Sequence, residues 1–193
     1  MKRQVTRMSA SALAAGLMLF TTAFGQEKAA PEHYYAIWAV TGGGAGGTTV
    51  PVDVRINRYN TEQEISDYAA LLKKSGPDGL RRALEKEDVG QFSPSGKVGT
   101  PIAIARKLSV EGKTVIRVLT LRTQSFTELW NGGRVTDYPY TMLELVLETD
   151  GKGAGSAMAA AKVSFNKKKD IYEIESFGHG QMYHKLLNIQ TMK

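Results

Sequence analysis

Arg122, Glu128, Trp130, Arg134, Asp137, Tyr138 and Tyr140 fall within nineteen residues of one another and form the densest mixture of charge and aromatic surface in the chain. Side chains of these types line binding grooves, where rings supply contact area and charged groups fix orientation. The same mixture describes the edge of a core whose polar tips reach water, and that is the plainer reading. These seven residues are the candidate binding set. The carboxylates pair differently. Glu144 and Glu148 share one face of an alternating strand, and Glu173 and Glu175 share a face of another. Two inward carboxylates in a barrel can perform glycosidic acid/base chemistry, but solvated outer positions explain all four.

Other chemistry has less support. His33, His179 and His184 would suffice in number for a zinc site, yet their spacing matches no metal motif, so no metal and no cofactor is expected. The chain has no cysteine, which removes thiolate catalysis and disulfides, and no serine stands in a G-x-S-x-G frame. Gly42 to Gly47 spells G-x-G-x-x-G, but Thr-Thr-Val-Pro-Val-Asp-Val follows it. A dinucleotide loop needs a helix there to meet the pyrophosphate, so the glycines read as a loop between strands. No catalytic residue is assigned.

The N-terminus carries an address. Lys2, Arg3 and Arg7 precede an apolar stretch, Ala10 to Ala23, and Ala23-Phe24-Gly25 offers a small-x-small exit. This is the pattern of a signal peptide over residues 1–25, and the expected location is periplasmic or secreted. Of 25 Lys and Arg, these three lie in that segment, and none of the 19 Asp and Glu do. The remainder therefore carries +3 rather than +6, which argues against nucleic acid as a partner. No other stretch approaches the length of a membrane span, so no integral membrane segment is expected after cleavage.

The elements that must position these residues follow from periodicity. Residues 26–33 read as a tail and 34–193 as one domain. Tyr34 to Val40 is an apolar run of strand length, expected to be buried on both faces, and Val50, Val52, Val54 and Ile56 alternate with polar residues. Thr61-Glu62-Gln63-Glu64 is a capping box, and Ile65, Tyr68, Ala69 and Leu72 follow at helical spacing. Gly76 then reads as a stop and Pro77 as the start of a second short helix. Strands return from Val89: Pro101 to Leu108, Lys113 to Leu121, Ser125 to Trp130, Thr141 to Glu148, Ala157 to Phe165, Ile171 to Phe177 and Met182 to Ile189. In the alanine-rich strand, Ala159, Ala161, Val163 and Phe165 form the expected inner set, with room for a large neighbour.

The expected fold is α+β: a strongly curved antiparallel sheet or partial barrel of about eight or nine strands, with an early inserted helical pair. Asn57 to Thr61, Thr136 to Tyr140 and Asp150 to Gly153, in this layout, resemble small exported bacterial proteins of uncharacterised function. That resemblance implies no activity. The leading expectation is a non-enzymatic binding module whose partner is a small molecule or an envelope protein. A small hydrolase and an assembly protein pairing through edge strands stand behind it.

Overall fold

The structure is a computed structural model, and it describes residues 30–40, 48–94, 97–122, 137–177 and 184–192. Among them are nine strands and one helix. They are β1 (Glu32–Val40), β2 (Thr48–Ile56), α1 (Glu62–Leu84), β3 (Gly90–Pro94), β4 (Thr100–Val110), β5 (Lys113–Leu121), β6 (Tyr140–Leu147), β7 (Lys152–Asn166), β8 (Ile171–Ser176) and β9 (His184–Met192). Each strand pairs antiparallel with its neighbours in the order β6-β5-β4-β3-β2-β1-β9-β7-β8. A further pairing of β6 with β7 closes eight of the nine into a barrel and leaves β8 outside the ring.

Turn chemistry sets these pairings. Glu111 and Gly112 both adopt positive φ, 51° and 78°, between the paired residues Val110 and Lys113. Two left-handed residues match the twist of the flanking strands, which is why a two-residue hairpin forms there. The side chain of Asn166 accepts from the amides of Lys168 and Lys169 and so shapes the turn from β7 to β8.

The barrel is filled. Tyr34, Ala36 and Trp38 point inward from β1, Val52, Val54 and Ile56 from β2, and Leu143, Leu145 and Leu147 from β6. A barrel of eight strands is just wide enough for side chains to occupy its interior. The expectation that β1 is buried on both faces is corrected: Tyr35, Ile37 and Ala39 are only half-buried on its outer side. His33, expected in a tail, is the second residue of β1, and its Nε2 lies 2.8 Å from Asp53 Oδ1 on β2.

A second cluster lies on the outside of the barrel wall, where α1 packs. Leu72, Leu80 and Leu84 of the helix meet Ala103, Leu119, Tyr140 and Ala161. The expected helical pair is replaced by one helix. Its capping box is present, with the Thr61 hydroxyl accepting from the Glu64 amide and Glu64 accepting from the Thr61 amide. Gly76 adopts φ 70° and Pro77 follows, so the helix kinks there, but no loop separates its two halves.

β7 changes role along its length. Between Met158 and Ala161 its register against β6 shifts, because three steps on β7 oppose two on β6. Such a bulge moves the following side chains to the other face. Ala157 and Ala159 therefore pack inside, whereas Ala161, Val163 and Phe165 face the helix. The large neighbour expected against the alanines is Tyr140, fully buried and directly opposite Ala161. Ala157 pairs with Leu143 on one edge and His184 on the other, and Ala161 pairs with Tyr140 and Ser176 in the same way. β9 and β8 thus run one after the other along a single edge of β7.

Candidate functional site

The apolar stripe of α1 stands off the wall in its first half and leaves a groove. Ile65, Tyr68, Ala69 and Leu72 recur at the spacing that places side chains on one helix face. Opposite them are Ile104, Leu119, Met142 and Val163 of β4 to β7. A bulge between Ile102 and Ile104 puts both Ala103 and Ile104 in the outer cluster. Tyr172 and Ile174 of β8 form the roof, and the Tyr172 hydroxyl donates to the Ala69 carbonyl at 3.2 Å. The hairpin is held from the other side by Lys73, which bonds Asp170 at 2.7 Å and lies 4.7 Å from the Phe165 ring centre.

The groove is half-open to solvent, its volume is about 380 Å³, and the lining is almost wholly apolar. Ligand cavities run from roughly 300 to 1,000 Å³. Among the described residues, two charged side chains reach the groove, both arginines. Arg106 makes a fork to Glu62 through Nε (3.2 Å) and an Nη (2.7 Å), and Arg117 bonds Glu144 through Nε at 2.7 Å.

A second, polar cavity of about 240 Å³ lies at the helix kink, lined by Pro77, Asp78, Arg81, Asp137, Pro139 and Lys162 together with Tyr140. The Tyr140 hydroxyl is buried and has no hydrogen-bond partner among the described residues. Burial pushes its pKa up to about 12; Arg81 opposes this, and Asp78 and Glu85 add to it. It is therefore a neutral phenol and no base.

Of the seven residues singled out from the sequence, Asp137 and Tyr140 share this second cavity. Tyr138 packs edge-on against Phe177 with ring centres 5.4 Å apart. Arg122 holds the same stretch through its amide, which donates to the Pro139 carbonyl at 2.7 Å. Glu128, Trp130 and Arg134 lie outside the described residues, as do His179, the glycine loop and the expected strand Ser125 to Trp130.

The paired carboxylates sit on the exterior. Glu144 is bonded to Arg117, Glu148 to Lys113 at 2.7 Å, and Glu173 to Asn166 at 2.9 Å. Glu175 lies opposite Lys162 across β7 and β8. Among the described residues, no three His, Asp or Glu side chains gather as metal ligands. The His184 ring lies 5.9 Å from that of Trp38 at a tilt of 58°, and burial holds its pKa below the ordinary value.

One cluster has no counterpart in the sequence reading. At the barrel end where β1 starts, Glu32 accepts from Tyr34, from Tyr59 at 2.6 Å, and from Lys107 at 2.8 and 3.1 Å. Burial pushes the Glu32 carboxyl up, but these hydrogen bonds outweigh it and hold the group below its ordinary value. Burial first, and then the Glu32 carboxylate, drive both tyrosines above the ordinary phenol range. Both remain donors, so the cluster plugs the barrel and offers no nucleophile. Only the Glu32-x-Tyr34 spacing, which puts both on one strand face, was available as a signal.

An eight-stranded antiparallel barrel with a helix strapped across its outer wall is the class this geometry defines. Comparison with protein-family models, with curated proteins and with solved structures found no match. No helix among the described residues is long and apolar enough to cross a membrane.

Proposed function

We propose that this protein is an exported, non-catalytic binding module, and that its ligand is an apolar molecule held between α1, the outer barrel wall and the β7–β8 hairpin. The observation that carries the reading is the groove itself, a volume of about 380 Å³ with an almost wholly apolar lining outside a filled barrel. Leaving such surface to water costs roughly 25 cal/mol per Å², so a ligand that covers it gains affinity without any directed bond. The charged start, apolar stretch and small-x-small exit of residues 1–25 support export.

The test is titration with a neutral naphthylamine probe whose fluorescence rises in apolar surroundings. The protein is expressed from the full-length sequence. Saturable binding is expected, and Ala69→Trp and Ile65→Trp, each filling the groove from the helix side, should weaken it at least ~ten-fold while circular dichroism stays unchanged. No saturable binding, or binding indifferent to both substitutions in folded protein, would refute the reading.

A further inference from the structure

We infer that the ligand is a free single-chain amphiphile with an anionic head, and that Arg117 is its head-group contact; this rests on the groove reading above. Among the described residues, the lining contains two cations, Arg106 and Arg117, and no acidic residue. Glu62 and Glu144 bond these arginines but do not line the groove. The charge that an occupant meets beside the apolar surface is therefore positive.

The arginines are not equally committed. Arg106 spends two of its nitrogens on Glu62, whereas Arg117 meets Glu144 through Nε and, among the described residues, leaves both terminal nitrogens for another acceptor. A guanidinium has five N–H donors in a rigid fork, which suits a carboxylate or sulfate. The Arg117 side chain is 55% exposed and that of Glu144 37%, so their ion pair is a weak competitor. The apolar surface begins next to this fork, with Leu119 and Met142 on neighbouring strands. A head on Arg117 and a chain running under Tyr172 and Ile174 fill the groove without burying an unpaired charge.

The same twelve-carbon chain carried by different heads tests this. Dodecanoate, dodecyl sulfate, dodecyl maltoside and dodecyltrimethylammonium are titrated below their micelle concentrations, by calorimetry or displacement of the neutral probe. The two anions are expected to bind about ten-fold more tightly than the maltoside, the scale of a hydrogen bond to a charged group, and the cation most weakly. Arg117→Gln should remove that preference and leave maltoside binding and the thermal midpoint in place. Arg106→Gln should weaken the anions less. Equal affinity for all heads, lost in Ala69→Trp, would overturn the anionic head and leave the groove reading standing. Binding of any head that survives both Ala69→Trp and Ile65→Trp would overturn both. Co-sedimentation with anionic phosphatidylglycerol vesicles that Ala69→Trp abolishes would put a membrane in place of the free amphiphile and overturn the proposal.

Discussion

Replacing Glu32 by Gln changes one oxygen for one nitrogen at the plugged end of the barrel, and its cost follows from the bonds that meet there. The carboxylate receives hydrogen bonds from Tyr34, Tyr59 and Lys107. An amide keeps one acceptor and turns a donor toward groups that are themselves donors. One charge-assisted bond is lost, at about 1.5–3 kcal/mol, and another becomes a neutral bond, so Glu32→Gln is expected to cost roughly 2–4 kcal/mol. For a domain of this size that is a fall of roughly 5–12 °C in the thermal midpoint. Urea unfolding of Glu32→Gln, Tyr59→Phe and the double variant measures it. Because Glu32→Gln weakens the same bond that Tyr59→Phe removes, the double variant should cost less than the sum by at least ~0.5 kcal/mol. The effect also has a pH signature. The folded carboxyl is held below its ordinary value of 4.5, so the fold takes up this proton less readily than the unfolded chain. The wild-type advantage over Glu32→Gln is then whole above about 4.5 and fades as pH falls through the folded value. A Glu32→Gln cost under ~0.5 kcal/mol, strict additivity, or an advantage that grows on acidification would refute the plug.

Two further outcomes follow from packing. Tyr140→Phe removes a buried hydroxyl that bonds nothing among the described residues and should change stability by under ~0.5 kcal/mol or raise it, whereas Tyr140→Ala should lose about 3–5 kcal/mol from the outer cluster; a Phe cost above ~1.5 kcal/mol in urea unfolding would reveal a partner for the hydroxyl. Gly155→Ala would set a Cβ 2.0 Å from the Glu144 carbonyl oxygen on the paired strand, so β6 and β7 must part at a cost of about 2 kcal/mol or more, and a neutral result would show that the strands do not approach that closely.

Local signals in the chain reported local structure well. The Thr61 to Glu64 box places the start of α1, and the alternation of Leu143, Leu145 and Leu147 places β6 and its inward face. Gly76-Pro77 was legible as a break, but a positive φ at one glycine kinks a helix as readily as it ends one, and the segment beyond the kink packs Leu80 and Leu84 into the same outer cluster as Leu72. β3 was hidden because Gly90, Ser93 and Pro94 leave one aromatic, Phe92, to declare it. The groove was illegible for a different reason. Ile104, Leu119, Met142, Val163 and Ile174 each read as ordinary strand interior, and they come to share one surface only through closure of the sheet and the bulges in β4 and β7. Composition drew attention instead to Arg122 through Tyr140, where Tyr140 is a core residue whose ring fills the space left by Ala161.

β7 is a stave of the barrel over its first half and a handle over its second. Only Ala161 to Asn166 engage β8, and β8 belongs to no other pairing among the described residues. Lifting β8 away therefore leaves every seam of the ring intact, since β9 holds the lower part of the same edge. The roof of the groove and the walls of the barrel answer to separate sets of bonds. If the groove takes a ligand as proposed, its admission would need only the Tyr172–Ala69 and Lys73–Asp170 bonds to open, a change far smaller than the unfolding of the domain.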